Sequence, residues 1–315
     1  MKVEILLTVF VLAGCAGAPD ARVVSAPTAR TYVIQVQHTH RVGDRWHVVA
    51  DDESSLRTTA RVADAPAPAD SSKVTHVHVE GTVVVGELQP NGRSPLRDET
   101  TVDELWATLD LGAKQALAPA GAHVVVARAA KKEDALVTVD GIPASQAVRD
   151  AIDPLFTLTT YTGPSDDEVF GSTVPQSIGG EWAINQALAE KSLIATDVVA
   201  APGTVTGSTK LVGVPSIDGV DCLELESKMT VGGLVSIGSL PPGSTIQSAT
   251  IDVALHLLVP VDQARGVTRS EMAMTMKGTF TVPSPRGPVL VSLESVKRAH
   301  SMQRMASGES EGRHR

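Results

Sequence analysis

Alternating apolar and polar positions dominate the chain beyond residue 30 and predict an antiparallel, β-dominated α+β fold. A period of two marks strands that bury one face, and it recurs in most segments. We expect curved sheets with about three short helices. The predicted strands cover 32–36, 46–49, 74–88, 122–127, 135–139, 203–214, 220–231, 248–259, 267–282 and 289–297.

Turn residues join several of these strands into hairpins. The clearest turn is Asp218-Gly219, a pair that a tight type I′ turn favours, between two long strands. Gly43-Asp44 predicts a first hairpin between 32–36 and 46–49. The charged loop 131–134 predicts another between its flanking strands.

Helical spacing of apolar residues behind a capping side chain predicts three helices. One would begin after Thr101, because Leu105, Leu109 and Ala113 recur at helical spacing. The three predicted helices run over 102–117, over 145–155 and from Asn185 to about Val198.

The N-terminus carries an apolar run from Ile5 to Val11, preceded by Lys2. The run is too short for a helix that crosses a hydrocarbon core of about 30 Å. It ends in Leu12-Ala13-Gly14-Cys15. A basic start, a short apolar stretch and small residues are typical of a secretory signal.

This segment resembles the signal of bacterial lipoproteins, although Glu4 departs from their basic starts. The resemblance implies cleavage between Gly14 and Cys15 and acylation of Cys15, with palmitate among the acyl chains. Several chains on one cysteine would anchor the protein stably. Because Ala16 rather than Asp follows the cysteine, the family's sorting pattern implies the outer membrane, facing the periplasm.

The body divides at the polar stretch from Gly163 to Glu168, the best candidate boundary. The predicted segments are a signal peptide (1–14), a flexible tether (15–29), an N-terminal β-rich half (30–165), a C-terminal β-rich half (166–297) and a disordered tail (298–315).

Gly43-Asp44-Arg45-Trp46 and Gly179-Gly180-Glu181-Trp182 each place Gly-x-x-Trp where a strand begins. Duplication of two similar halves and coincidence would both explain the match. The C-terminal half also resembles a family of uncharacterised predicted bacterial lipoproteins, which has no assigned activity and so implies no functional residues. The residues that carry this resemblance are Phe170-Gly171, Pro175, Gly180-Glu181-Trp182, Gly207, Lys210-Leu211 and Asp218-Gly219-Val220-Asp221-Cys222.

Composition excludes several classes of protein. The chain has 315 residues, of which 42% are hydrophobic, enough to bury a core and to exclude global disorder. A net charge of -9 with 3% aromatic residues argues against nucleic-acid binding, which needs a cationic surface. Two cysteines exclude a disulfide-dense scaffold and a zinc site of four thiolates.

Five of the nine histidines lie between residues 38 and 78. His38 and His40 continue an apolar face, whereas His76 and His78 alternate with valines, so the two pairs should point to opposite sides of a sheet. One hypothesis is a copper or zinc site built from these four imidazoles. The other is a set of solvated or cavity-lining histidines, and we predict no cofactor and no firm metal site.

Met272, Met274 and Met276 repeat with a period of two. Their thioethers suit Cu(I). Flexible methionine also fills apolar cores and lines adaptable cavities, and we favour a core or cavity face.

Cys222 is the only thiol left if Cys15 is acylated. Carboxylates at Glu224 and Glu226 would raise its pKa, so we predict a passive, half-buried thiol. The acidic runs 51–53 and 166–168 are predicted to be solvated loops.

The chain has no His-Glu-x-x-His, Walker or Rossmann motif, so we predict that it is not an enzyme. The favoured function is a structural or assembly lipoprotein of the envelope that contacts a protein partner. The alternative is a carrier of an apolar ligand or lipid in a cleft of the sheet. A metal binder or an enzyme with a dispersed site is the third class.

Overall fold

The structure is a computed structural model that describes residues 30–36, 40–62, 69–89, 95–109, 112–262, 267–285 and 287–305. The predicted signal, the Leu-Ala-Gly-Cys box, the tether and His38 lie outside this part of the chain. No helix among the described residues has the length and apolar character to span a membrane.

Strands make up most of the fold, as predicted, and the described residues contain three α-helices. The strands of the N-terminal half are β1 (Thr31–Ile34), β2 (Arg45–Val62), β3 (Ala69–Leu88), β4 (Pro95–Leu109), β5 (Gln115–Ala118), β6 (His123–Ala127), β7 (Leu136–Val139) and β8 (Ile142–Pro143). The helices are α1 (Gln146–Phe156), α2 (Asp166–Phe170) and α3 (Gln186–Ile194), with a 3₁₀ turn at Lys132–Asp134. The remaining strands are β9 (Ser172–Ser177), β10 (Glu181–Ala183), β11 (Val198–Ala200), β12 (Val205–Gly213), β13 (Ser216–Ile217), β14 (Val220–Val231), β15 (Leu234–Ile237), β16 (Thr245–Pro260), β17 (Val267–Val282) and β18 (Val289–Met305).

One large antiparallel sheet runs through both predicted halves. Its strand order is β10-β12-β14-β16-β17-β18-β2-β3-β4-β6-β7-β8, with β13 and β5 beside β14 and β4. The two halves meet where β18 pairs with β2, from Val289 opposite Val62 to Met305 opposite Trp46. We call this pairing the seam.

Each half has its own hydrophobic core on the sheet. The first core contains residues between Ala50 and Leu158. The second contains residues from Val169 to Ala299, together with Ile34 and Val36. The division between the cores therefore brackets the predicted boundary, although the sheet itself is continuous.

The two Gly-x-x-Trp segments adopt the same local structure. Gly43 N–H donates to Val85 O, and Val85 N–H donates back to Asp44 O. In the second half Gly179 N–H donates to Leu211 O, and Leu211 N–H donates to Gly180 O. Trp46 lies opposite Val83, and Trp182 lies opposite Thr209. In each half the opposed residue is two positions before the residue that exchanges the hydrogen bonds, Val85 or Leu211. This shared register favours duplication over coincidence.

Several predicted elements are confirmed. Asp218 and Gly219 have φ of 51° and 79°, as a type I′ turn requires, and this turn joins the short strand β13 to β14. Helix α1 begins after Ser145, whose hydroxyl accepts from Val148 N–H, and α3 begins after Asn185. The predicted end of α3 near Val198 is wrong, because α3 ends at Ile194 and β11 begins at Val198. Strand β17 has the predicted bounds.

The predicted helix over 102–117 is wrong, because this segment forms β4 and β5. The register of β4 against β3 shifts between Glu80 and Gly81, which places a bulge near Asp103. Val102, Leu105 and Ala107 are consequently all buried. Because the bulge adds one residue, the buried positions Val102 and Leu105 are three residues apart rather than two, a spacing that is also typical of a helix.

The predicted first hairpin and tail are also wrong in part. Strand β1 pairs with β9 rather than with β2, because Ile34 packs in the C-terminal core. The predicted disordered tail 298–315 begins too early, since β18 continues to Met305 between two long partners. The residues after Met305 lie outside the described part.

Candidate functional site

On the inner face of the sheet, the side chains at the seam form the bottom of a shallow depression, which we call the seam floor. A row of directly opposed residues crosses the strands here, and its central members are small. The row consists of Leu257, Ser270, Ser301, Ala50 and Val79. Serine and alanine cannot fill the space that the flanking leucine and valine fill, so the two cores are separated by a gap.

The segment between the two halves covers this floor. Residues 155–161 leave the end of α1, and Ser165 and Asp166 begin α2 above the seam. Together they line a partly open cavity of about 660 Å³. The walls include the segments 128–133, 195–198 and 237–239.

Arg128 lies at the end of β6 and ties the cover to the sheet. Its Nε donates to Phe156 O at 3.1 Å and to Thr157 O at 3.0 Å, and Nη2 donates to Phe156 O at 2.7 Å. Nη1 lies 2.7 Å from Asp98 Oδ2. Burial raises the pKa of Asp98, while Arg128 opposes that rise.

Asp166 is the second buried carboxylate of the cavity, with 5% of its surface exposed. Burial, with a further contribution from the charge of Asp167, raises the pKa of Asp166 to about 7. Among the described residues no lysine, arginine or histidine forms an ion pair with it. Tyr161, also in the lining, has its pKa raised to about 12 by burial and stays neutral.

The hydroxyls of Ser239 and Ser301 also line the cavity, and both are buried without a hydrogen-bond partner among the residues that the structure describes. An unpaired buried hydroxyl costs free energy on the order of 1–3 kcal/mol. Such groups in a cavity are positioned to bind a polar group of a guest molecule.

His40 lines the same cavity, edge-on to Trp46 at 5.8 Å between ring centroids. Burial lowers the pKa of His40, with Asp44 opposing and Arg128 adding to the effect. The imidazole is therefore a neutral part of the wall. This confirms the cavity-lining interpretation for His40.

His76 and His78 lie on the opposite, outer face of β3, as their alternation with valines predicted. His76 Nε2 and His78 Nδ1 lie 2.8 Å and 2.9 Å from Asp51 Oδ1, and His300 Nε2 lies 3.1 Å from Oδ2. Trp106 stacks on His78. Although burial alone would raise it, hydrogen bonds from His78 and His76 lower the pKa of Asp51.

The four-histidine metal hypothesis does not fit this geometry, because the sheet separates His40 from the pair at His76 and His78. No group of three or more His, Cys, Asp or Glu among the described residues is arranged to hold a metal ion. The imidazoles on the outer face instead surround a single carboxylate.

The methionine stripe belongs to the core. Met272, Met274 and Met276 are buried in the C-terminal core, which is one of the two placements that we favoured, and they do not line the described cavity. The cavity begins farther along the same face of β17, at Ser270 and Thr268.

Cys222 is fully buried rather than half-buried. Burial, with contributions from Asp221 and Asp218, raises the pKa of its thiol to about 11. A protonated, enclosed thiol is a poor nucleophile, in agreement with the passive role predicted for it.

The acidic runs are not simply solvated loops. Asp52 is buried and lies 2.9 Å from Lys297 Nζ, and Asp166 faces the cavity. Sequence reasoning therefore missed Asp98, Arg128 and Asp166 as site residues. Ser270 and Ser301 were an available signal of a cavity, because they are polar residues at inward-facing positions of long strands in which apolar and polar residues alternate.

No protein-family model matches the chain, and no curated protein matches it significantly. Among solved structures, one similarity is to the TodX monoaromatic hydrocarbon channel, deltaS2 mutant. That match has 7% identity and a TM-score of 0.20, and it covers 89% of this chain and 96% of the other. A similarity at this score carries no conclusion about fold or function.

Proposed function

We propose that this chain is a lipid-anchored envelope protein that binds a small amphipathic molecule in the seam cavity. The observation that carries the proposal is the unfilled space over the seam, with unpartnered hydroxyls at Ser239 and Ser301. Small-molecule sites are typically concave, mostly apolar and roughly 300–1,000 Å³ in volume. This cavity has that size and that mixture of lining groups.

The lining suits a molecule with an apolar body and one polar end. Valines from β2 and β3 and leucine from β16 form the apolar part, including Val48, Val79 and Leu257. The polar groups of the lining include the buried residues Asp98, Asp166 and Ser301. Apolar burial would supply most of the affinity, and the polar groups would fix the orientation.

The proposed anchor supports a function close to a membrane. Its basis is the resemblance of Leu12-Ala13-Gly14-Cys15 to lipoprotein signals. The tether 15–29 could span about 50 Å when extended, which would keep the cavity near the bilayer. Membrane amphiphiles would then be available to it.

Filling the cavity tests the proposal. Ser301→Leu places a larger side chain over the seam, whereas Ser292→Leu places the same side chain on an exposed position of β18. Calorimetric titration with decanol should show binding to the wild type and to Ser292→Leu, and at least about tenfold weaker binding to Ser301→Leu. Equal affinity in all three proteins would overturn the proposal.

Native mass spectrometry of protein extracted gently from membranes gives a second readout. We expect a co-purifying small molecule on the wild type and on Ser292→Leu, and less of it on Ser301→Leu. Because Ser301→Leu removes an unpartnered buried hydroxyl, its thermal unfolding should confirm that the fold survives.

An assembly function is the second candidate, and exposed apolar residues favour it. Ile142 on the outermost strand β8 is 69% exposed, and Val174 on β9 is 63% exposed. An unpaired strand edge can add a strand from a partner. Cross-linking in the native envelope, compared between wild type and Ile142→Lys, tests this candidate separately from ligand binding.

A further inference from the structure

The arrangement of Arg128 limits which polar group the cavity can accept. Its Nε and Nη2 donate to the carbonyls of Phe156 and Thr157, and its Nη1 lies against Asp98. Backbone carbonyls therefore occupy Nε and Nη2, and the carboxylate of Asp98 balances the charge of the guanidinium, although Nη1 is buried without a well-aligned hydrogen bond among the described residues. Arg269, the other arginine of the lining, is half-buried and also has an interaction partner of its own. Neither arginine is therefore a free partner for a carboxylate or phosphate on a ligand.

The remaining buried charge of the lining is Asp166. Three other buried aspartates each lie beside a cation, namely Asp52 beside Lys297, Asp98 beside Arg128 and Asp153 beside Lys132. Asp166 is as deeply buried as these but has no cation beside it among the described residues. Its raised pKa follows from this unbalanced burial.

We propose that the cavity selects cationic amphiphiles, in which a protonated amine pairs with Asp166 while the apolar body covers the seam floor. This inference rests on the proposed function and names its ligand class. The ammonium would supply the charge partner that the chain itself provides to the other three buried aspartates. It would also favour the ionised form of Asp166.

Other charged residues of the lining do not offer the same recognition. Lys131, Glu133 and Asp197 line the cavity but are exposed, so water screens their charges. Lys132 lies 3.1 Å from both Asp150 and Asp153. On the outer face Asp51 already has three imidazoles around it, so that cluster lacks an equivalent unbalanced charge.

A charge series on one alkyl chain tests the inference. Decylamine, decanol and decanoate differ in the polar end and share the apolar body. Calorimetric titration at neutral pH should give an affinity for decylamine at least about tenfold above that for decanol, with decanoate the weakest. The measurement uses the wild type, Asp166→Asn and Asp197→Asn, the last being a carboxylate variant at an exposed position of the same lining.

Asp166→Asn should lose the preference for decylamine and keep its affinity for decanol within about twofold, which also shows that the cavity is intact. Asp197→Asn should keep the preference. A preference for decanoate, equal binding of the three molecules, or an unchanged preference in Asp166→Asn would overturn the inference and leave the proposed function standing. If none of the three molecules binds the wild type, the proposed function fails as well.

Discussion

Four aspartates are buried in the described fold, and only one of them has no cation beside it. Asp52, Asp98 and Asp153 have Lys297, Arg128 and Lys132 as partners. A buried carboxylate without a partner is held partly protonated, because desolvation penalises its charge. Asp166 is in this state, with a pKa raised to about 7.

The effect of Asp166 on stability depends on pH. Its folded pKa lies above the unfolded value of 3.8, so ionisation is less favourable in the folded state. The wild type therefore loses stability as pH rises from the unfolded pKa through the folded one. We expect Asp166→Asn to gain about 2–3 kcal/mol more over the wild type at pH 8 than at pH 5.

Urea unfolding followed by circular dichroism at both pH values measures this difference. Asp103→Asn, at an exposed position of β4, is the matched control and should show no comparable change. A gain by Asp166→Asn that is the same at pH 5 and pH 8 would contradict the assigned protonation.

At this scale the sequence predicted some side chains and missed others. The alternation of His76 and His78 with valines was enough to place them on the outer face, because side-chain direction is a local property of a strand. The environment of Asp166 is set by α1, β11 and the seam, which are distant in the sequence. Its acidic neighbours Asp167 and Glu168 made it look like a solvated loop residue.

At the scale of elements, two equivalent glycines allow neighbouring strands to approach closely. A Cβ on Gly81 would lie 2.4 Å from Thr101 O, and one on Gly207 would lie 2.2 Å from Lys228 O. Both contacts are with backbone, which cannot move without disturbing the ladder. The two glycines also occupy equivalent positions opposite the Gly-x-x-Trp segments. Gly81 lies opposite Val48, two residues after Trp46, and Gly207 lies opposite Ile184, two residues after Trp182.

We expect Gly81→Ala and Gly207→Ala each to lower the free energy of unfolding by about 1–3 kcal/mol. Gly232→Ala is the control, because a Cβ there would lie 3.7 Å from its nearest neighbour, an ordinary contact. Denaturant titration of the three variants measures the effect. Equal stability of all three would show that the strands can separate at these positions at little cost.

The alternation of apolar and polar residues failed to predict two features of the strands, namely the bulge in β4 and the full length of β18. Alternation predicted β17 to the residue because that strand is regular along its whole length. It failed for β4, whose register shift depends on Gly81 in the neighbouring strand. It also failed after Lys297, where polar side chains on β18 obscured a segment that is paired on both sides.

Removal of the end of β18 should therefore destabilise the protein. Deletion of 300–315 takes away strand pairing with both β17 and β2, and it removes Ser301 and Gln303 from the cavity. Several lost ladder hydrogen bonds, each worth about 0.5–1.5 kcal/mol, predict a loss of at least about 3 kcal/mol. A chain ending at Met305 is the control, and thermal unfolding that is identical for both deletions would contradict the prediction.

At the scale of the whole molecule, the seam explains both the two cores and the cavity. The ends of the described chain meet there, since β2 is near the beginning and β18 is at the end. Its inner side carries Ser301, Ala50 and the buried pair of Lys297 with Asp52, and these residues separate the two cores along this part of the seam. Farther along the seam, Leu56 of β2 packs against the C-terminal core. The cavity could not be predicted from the sequence, because its floor is a row of residues from five strands that only the register brings together.

The proposed membrane location depends on acylation of Cys15. A variant of each cysteine distinguishes the role of Cys15 from that of the buried Cys222. Cys15→Ser should abolish labelling by radioactive palmitate and move the protein from the detergent phase to the aqueous phase in a Triton X-114 partition, since stable anchoring requires the acyl chains. Cys222→Ala changes the buried thiol of β14 and should keep both the label and the detergent partition. Because the cavity lies in the body, Cys15→Ser should still bind decanol in solution. Membrane partition that is unchanged in Cys15→Ser would refute the lipid anchor, while the cavity and its ligand class would remain to be tested by titration alone.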